Sequence, residues 1–288
     1  MNKIIQMGCA FLVLTISAFG QTKIEQAKTS FEQRKYDRVK NILASIDKED
    51  PAFADAQYYL GRVAYEEKEY EEAADLFNEA IDTNDKVADY HHWLGNAYRN
   101  RALVSNPLTG AMLAPKIRKA WEKAATLDDK NIDARISLVG YYTEAPGFMG
   151  GSIDKAKDIA NQLIKLSPAI GHREMGEIFM LEKNYEKALL LFEESLKENP
   201  EGYVSIYQVG KASALSGQRL ERGEECLKKY LTHTPQTGEP SHAGANMRLA
   251  QIKEKMGNKV EAKRLYEIAL RSDGRLKEAK EGLERVSK

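Results

Sequence analysis

The sequence predicts an all-α chain built from repeated pairs of amphipathic helices. Apolar residues recur at i, i+3, i+4 and i+7, the spacing of one face of a helix rather than of a strand. Two such segments, joined by a short polar turn, recur about every 34 residues. Small residues alternate with large ones in both segments, so paired helices can approach each other closely and the large side chains fill the gap.

The clearest pair runs from Ala169 to Pro200. Gly176 and Phe179 lie on the inner side of its first helix, and Phe192 lies on the side of the second helix that faces back. Pro200 lacks a backbone N–H and fixes φ, so it ends the second helix. The other pairs can be aligned to this unit along the chain.

This unit resembles the tetratricopeptide repeat (TPR), and the resemblance covers nearly the whole chain after residue 20. It implies a right-handed solenoid of about seven helix-turn-helix repeats with a C-terminal capping helix, in which the first helix of each pair lines a concave surface. The repeats are placed at about 21–53, 54–87, 88–131, 132–168, 169–202, 203–242 and 243–274, and the capping helix at 275–288.

Residues 1–20 differ in kind from the rest of the chain. A basic residue precedes the apolar run from Ile4 to Phe19, which contains no acidic residue. Ala18 and Gly20 are small residues at the −3 and −1 positions before Gln21. Because the run is short and no stop-transfer charges follow, we predict a signal peptide, export to the periplasm or the exterior, and no membrane insertion after its removal.

Composition argues against several classes of function. The 43 basic and 43 acidic residues balance, so net charge gives no support for binding nucleic acid or an anionic membrane surface. After residue 20, Cys226 is the only cysteine, and no internal disulfide can form. The sequence places no His or Asp to activate Cys226, which we expect to lie half-buried in a helix.

The sequence contains no recognisable catalytic motif. It lacks H-E-x-x-H, G-x-S-x-G, C-x-x-C and a Walker-type phosphate loop. His91 and His92 are adjacent, and neighbouring helical residues point about 100° apart, so both cannot ligate one metal from one face. We expect one of them to pack or face the groove and the other to face solvent. We also expect no enzyme activity, no cofactor and no metal.

A candidate binding groove follows from the concave surface that the resemblance implies. Tyrosine and arginine, which often dominate recognition, occur at its groove positions. The family's clamp for C-terminal carboxylates is not reproduced, since Ile170 and Glu174 stand where basic residues are needed. The predicted groove residues are Tyr58, Arg62, Tyr65, His92, Asn96, Arg99, Arg173, Tyr207 and Lys211.

The third and fourth helix pairs depart from the repeat pattern, because long turns are predicted within them at 103–115 and 144–152. Equivalent turns of adjacent repeats leave the same edge of a solenoid, so we expect these two to be neighbours. Two interpretations stay open: a ridge that docks a partner, or a structural plug packed on Trp93 or Trp121. The apolar residues of this predicted ridge are Leu108, Met112, Leu113, Phe148 and Met149.

The sequence therefore predicts an exported, non-catalytic scaffold that binds a protein or peptide through the groove, the ridge or both. The alternative is a small-ligand or transport-accessory binding protein in which segments 103–115 and 144–152 form a lid. The sequence assigns neither the identity of the partner nor an oligomeric state.

Overall fold

A computed structural model describes residues 22–288, so the predicted signal peptide lies outside the described residues. Every regular element in this range is a helix, which confirms the predicted fold class. Helix α1 is described over residues 22–32. The helices that follow are α2 (Tyr36–Leu43), α3 (Phe53–Glu66), α4 (Tyr70–Thr83), α5 (Ala88–Val104), α6 (Pro107–Leu127), α7 (Ile132–Glu144), α8 (Ile153–Leu166), α9 (Pro168–Leu181), α10 (Tyr185–Glu198), α11 (Tyr203–Ser216), α12 (Leu220–Leu231), α13 (His242–Lys255), α14 (Lys259–Ser272) and α15 (Lys277–Val286), with a 3₁₀ turn at Gly147–Met149.

The helices form two compact units. Unit 1 is described from residue 22 to Gly151, and unit 2 is Ser152–Lys288. Within unit 1, α3 packs on α4 and α5 on α6; within unit 2, α9 packs on α10 and α13 on α14. Across residues 22–288, no helix combines the length and the apolar character that crossing a membrane requires.

Close approach within a pair depends on glycine. A Cβ added to Gly61 would lie 2.8 Å from the Phe77 ring, and one added to Gly176 would lie 2.5 Å from the Phe192 ring. Both rings are fully buried and fill the space that the glycines leave. The small residues thus allow paired helices to approach closely while the large rings fill the space between them, as the sequence predicts.

The last helix closes unit 2 as the predicted cap. Ala279 and Val286 are buried on the side of α15 that packs on α14. Much of the rest of α15 is exposed and polar, and Arg285 pairs with Glu254 at 2.8 Å. A terminal helix with one apolar and one solvated face is what an array of stacked pairs needs at its end.

The turn predicted at 103–115 is mostly helical, so that prediction was wrong. Helix α5 continues to Val104, and α6 begins at Pro107. Proline suits this first helical position because its missing N–H needs no partner there, and the Asn106 side chain accepts the N–H three residues on at 3.0 Å. Helix α6 then continues through Pro115. The extra residues lengthen two helices rather than the turn between them.

The segment between α7 and α8 is a turn, as predicted. Helix α7 ends before Pro146, which disfavours helical backbone in the residue that precedes it. Gly150 has a φ of 97°, in the left-handed region that favours glycine. A side chain at Gly151 would collide with the carbonyl of Ala145, so this glycine permits the chain to double back.

Candidate functional site

The strongest candidate site is a cavity of about 430 Å³ in unit 1, formed by α5, α6 and α7. Helix α6 contributes Ile117 and Trp121 to its lining. Helix α5 contributes Asn96, Arg99 and Leu103. The volume lies within the range of about 300–1,000 Å³ that is typical of ligand pockets in proteins.

Trp121 is held rigidly beneath the cavity. Its side chain is 2% exposed, and its indole lies so close to Gly95 that any Cβ there would collide with it. The indole Nε1 donates a hydrogen bond of 3.0 Å to the Asn96 Oδ1. The Tyr141 ring stands edge-on to the indole at 6.4 Å between centroids. Packing and hydrogen bonding therefore fix the position of this lining residue.

A neutral polar network continues from Trp121 along one side of the cavity. The Asn96 amide nitrogen and the Ser137 hydroxyl each lie 3.4 Å from the Nε2 of His92. Burial lowers the pKa of His92, against the opposing effect of the Asp133 carboxylate, so the imidazole is neutral at neutral pH. These groups can orient a polar ligand atom without adding charge to the site.

The remaining lining is mainly apolar, with two charges. Ile136 and Gly140 of α7 face the same cavity as Ile117. A Cβ added to Gly140 would meet nothing within 4 Å, so this glycine borders open space. Arg99 and Glu144 are exposed lining residues, and neither forms an ion pair within residues 22–288. The site therefore offers an apolar cavity with one positive and one negative side chain free to pair with a ligand.

The predicted groove residues of α3 contact one another and residues of α5. The Arg62 guanidinium lies 3.6 Å from the centroid of the Trp93 ring, and its Nη1 donates a hydrogen bond of 2.9 Å to the Tyr58 hydroxyl. Tyr58 is buried, and burial raises the pKa of its phenol. The Tyr65 hydroxyl accepts a hydrogen bond from Asn100 of α5. These side chains stabilise the contact between α3 and α5.

Three predicted groove residues belong to unit 2. The Arg173 guanidinium pairs with Glu174 at 2.7 Å, whereas Tyr207 is buried with its ring 5.3 Å from that of Tyr230. Lys211 is half-buried on α11. Arg173 also lines a second cavity, of about 400 Å³, within unit 2. Of the nine predicted groove residues, the structure brings only Asn96 and Arg99 to the unit 1 cavity.

The predicted ridge divides into exposed and packed residues. Leu108, Met112 and Phe148 are exposed, whereas Leu113 is buried on α6. Met149 is half-buried, and its carbonyl accepts a hydrogen bond of 2.7 Å from the Tyr141 hydroxyl. The plug interpretation suits Leu113, and the docking interpretation suits the three exposed side chains.

Sequence reasoning missed the contribution of α7 to the cavity, although a signal was present. When the fourth pair is aligned to the third, Ile136 falls at the position of His92 and Gly140 at that of Asn96. Both predicted groove positions thus have α7 counterparts that line the cavity. Isoleucine and glycine are not residue types that suggest recognition, so the sequence alone does not single out these two positions.

Histidines lie on α5 and beside the second cavity. His91 and His92 are both buried, so the expectation that one of them faces solvent was wrong; the His91 Nε2 bonds to the Asp85 carbonyl at 2.9 Å. In the second cavity the His233 Nε2 lies 2.7 Å from Glu239, but the Ser205 hydroxyl bonds to Ser195. Between residues 22 and 288, no three His, Cys, Asp or Glu side chains are grouped to hold a metal ion.

Cys226 should be unreactive in the native protein. Its side chain is buried, not half-buried as expected from the sequence, and burial raises the pKa of its thiol to about 11. In a chain that begins at Gln21, we expect a disulfide reagent such as DTNB to label this thiol slowly at pH 8. Labelling should become immediate in denaturant. Fast labelling of the folded chain would contradict the burial.

One family model matches part of the chain. Residues 30–95 match the family model described as tetratricopeptide repeat. No curated protein matches the chain. The matched range includes α2, α3 and α4 of unit 1.

Solved structures extend the likeness in fold. A tetratricopeptide repeat protein from Parabacteroides merdae is 14% identical, with 94% of this chain and 100% of that one covered and a TM-score of 0.63. The APC/C hetero-tetramer Cut9–Hcn1 gives 13% identity, coverage of 91% and 48%, and a TM-score of 0.66. PilF of Pseudomonas aeruginosa gives 15% identity, coverage of 79% and 95%, and a TM-score of 0.60. Residues 30–95 are therefore similar to tetratricopeptide repeats, and the chain has the fold of solved tetratricopeptide repeat proteins.

Proposed function

We propose that this protein is an exported, non-catalytic interaction scaffold that binds an extended segment of a partner protein at the unit 1 cavity. The observation that carries the proposal is the 430 Å³ cavity of α5, α6 and α7. Its lining is mainly apolar, and its two charged side chains form no ion pair among residues 22–288. The fold of the chain also supports a scaffold function, because proteins built from such repeats commonly bind other proteins on surfaces formed by their stacked helices.

The chemistry of the cavity suggests how a segment would bind. A large apolar side chain would lose its contact with water by packing against Ile117, Trp121 and Ile136, and such anchors dominate most protein interfaces. The segment's amide groups could pair with Asn96 and Ser137. Charged neighbours of the anchor would pair with Arg99 and Glu144, which would select the direction and register of the segment.

A selection from a random peptide library tests this function. We expect the chain from Gln21 onward to enrich peptides that combine a large apolar residue with an acidic residue, the partner of Arg99. Reversing the charge with Arg99→Glu should shift the selection toward basic peptides. A control Arg271→Glu change on the exposed side of α14 should leave the selection unchanged. Enrichment without an apolar anchor, or no effect of Arg99→Glu, would contradict the proposal.

Binding of a small ligand is a second candidate function, because the volume of the cavity also suits a small molecule. Its lid must differ from the one that the sequence suggested, because residues 103–115 are mostly helical. Native mass spectrometry of the purified protein distinguishes the two functions. A retained small molecule that is lost when Gly140 is replaced by methionine would favour the small ligand.

Export is a separate part of the proposal, supported by the short apolar run and the small residues before Gln21. Mass spectrometry of the protein isolated from the periplasm or the medium should find an N-terminus at Gln21. A cytoplasmic protein that retains residues 1–20 would contradict export, while leaving the peptide site untouched.

A further inference from the structure

The linked ends of α5 and α6 expose an unusual concentration of apolar side chains. Ten large apolar side chains are exposed among residues 22–288, and four of them fall within ten consecutive residues. These four, which we call the tip, are Leu103 (68% exposed), Val104 (73%), Leu108 (73%) and Met112 (68%). A fifth, Phe148 (86%), lies in the 3₁₀ turn that contacts α6.

The tip lies within a stretch that has no acidic residue. None occurs between Asp89 and Glu122, although the chain as a whole has equal numbers of acidic and basic residues. Arg101 and Arg118 of this stretch pair with Glu71 and Glu122, respectively. The other three basic side chains form no ion pair within the described chain, and they are Arg99, Lys116 and Lys119.

Apolar and basic side chains follow one another along a single face of α6. Leu108, Met112, Lys116 and Lys119 are spaced by four, four and three residues, so they form one stripe, and all four are exposed. With a rise of about 1.5 Å per residue, Lys116 lies about 6 Å along the axis beyond Met112. The stripe therefore changes from apolar to cationic within about one helical turn.

We propose that the tip is a membrane-surface anchor that docks α5 and α6 onto an anionic phospholipid bilayer. Leu108 and Met112 enter the boundary between headgroups and acyl chains, while Lys116 and Lys119 contact lipid phosphates. An interfacial element is typically buried by about 5–10 Å, which matches the distance over which the stripe changes character. This contact lies on the membrane surface and is not a span.

The local backbone suits such a contact. Few free N–H groups remain where α6 begins. Pro107 has no backbone N–H, and the Asn106 side chain accepts a hydrogen bond of 3.0 Å from the Thr109 N–H. The Gly110 N–H is bonded to the Asn106 carbonyl at 3.0 Å. Satisfied backbone groups lower the cost of placing a helix end beside lipid.

A bilayer explains this pattern better than a protein partner does. Of the four tip side chains, Leu103 borders the unit 1 cavity, whereas Val104, Leu108 and Met112 are not part of its lining. A bilayer places an anionic layer directly above an apolar interior, in the same order as the charges and apolar side chains along α6. This inference goes beyond partner binding. The side chains of the stripe that carry it, Leu108, Met112, Lys116 and Lys119, do not line the unit 1 cavity.

Flotation with lipid vesicles tests the anchor. The chain should begin at Gln21, so that the apolar run of residues 1–20 cannot itself bind lipid. We expect binding to vesicles of phosphatidylglycerol mixed with phosphatidylcholine, much weaker binding to pure phosphatidylcholine, and release by high salt. No binding to the anionic vesicles would overturn the proposal.

Matched variants separate the two components of the anchor. Lys116→Gln with Lys119→Gln should weaken binding to anionic vesicles by about 30-fold. Leu108→Ser with Met112→Ser should weaken it at least about 10-fold. The exposed controls in unit 2, Lys263→Gln with Lys280→Gln and Leu181→Ser with Val260→Ser, should bind like the parent. Equal losses in tip and control variants would contradict a local anchor.

A fluorescent label reports insertion directly. Because Cys226 is buried, Met112→Cys offers a single accessible thiol for an environment-sensitive dye in the chain from Gln21. We expect a blue shift on addition of anionic vesicles, and none for Val260→Cys. If tip variants lose a protein partner while the parent shows neither flotation nor a blue shift, the tip binds protein and the proposal fails.

Discussion

Replacing Trp121 with alanine should destabilise the protein by about 3–5 kcal/mol, as expected for removal of a large buried aromatic side chain. The change deletes the ring that packs on Gly95, and it leaves the side-chain Oδ1 of Asn96 without its indole donor. In a protein of this size, we expect the melting temperature to fall on the order of 10 °C, measured by circular dichroism.

A milder variant separates the two contributions of Trp121. Trp121→Phe keeps most of the ring but removes the Nε1 hydrogen bond to Asn96, so its melting temperature should lie between those of the parent and the alanine variant. A melting temperature for Trp121→Ala within about 2 °C of the parent would mean that the indole does not support unit 1.

Filling the cavity from Gly140 should weaken peptide binding strongly without harming the fold. The added side chain of Gly140→Met projects into open space, where it competes with the apolar anchor of a peptide. Losing such an anchor should weaken binding about 30-fold or more, measured by calorimetry with a peptide from the selection.

The control for this prediction is Gly140→Ala, which adds only one methyl group. It should keep its affinity for the peptide and gain up to about 1 kcal/mol of stability, because alanine is favoured over glycine within a helix. Equal affinities of the methionine variant and the parent would show that the peptide binds elsewhere.

The pairing of helices could be predicted because it depends on local sequence. Helical periodicity, together with glycine on one helix opposite a large ring on the next, specifies pairs such as Gly61 with Phe77. The course of α6 could not be predicted in the same way. Pro115 suggested the end of a turn, yet α6 continues through it while its neighbours Leu113 and Ile117 are buried in unit 1. Tertiary packing of those neighbours stabilises a helix that local propensity opposes.

The candidate site was predicted only in part, for a similar reason. Asn96 and Arg99 follow from the repeat pattern and do line the cavity. Tyr58 and His92 are buried by residues that are distant in sequence. One example is Ser137, whose hydroxyl contacts the His92 ring. Gly140 has no side chain that could suggest recognition, because its contribution to the site is the open space that it leaves.

Photo-crosslinking tests the central claim, that the unit 1 cavity binds the partner, most directly. A selected peptide would carry photo-leucine at its apolar anchor, and mass spectrometry would locate the crosslinks after irradiation. We predict crosslinks to residues 96–103, 117–121 and 136–145, which contain the cavity lining, and their loss in Gly140→Met. Crosslinks confined to unit 2, or crosslinks unchanged by Gly140→Met, would contradict the claim.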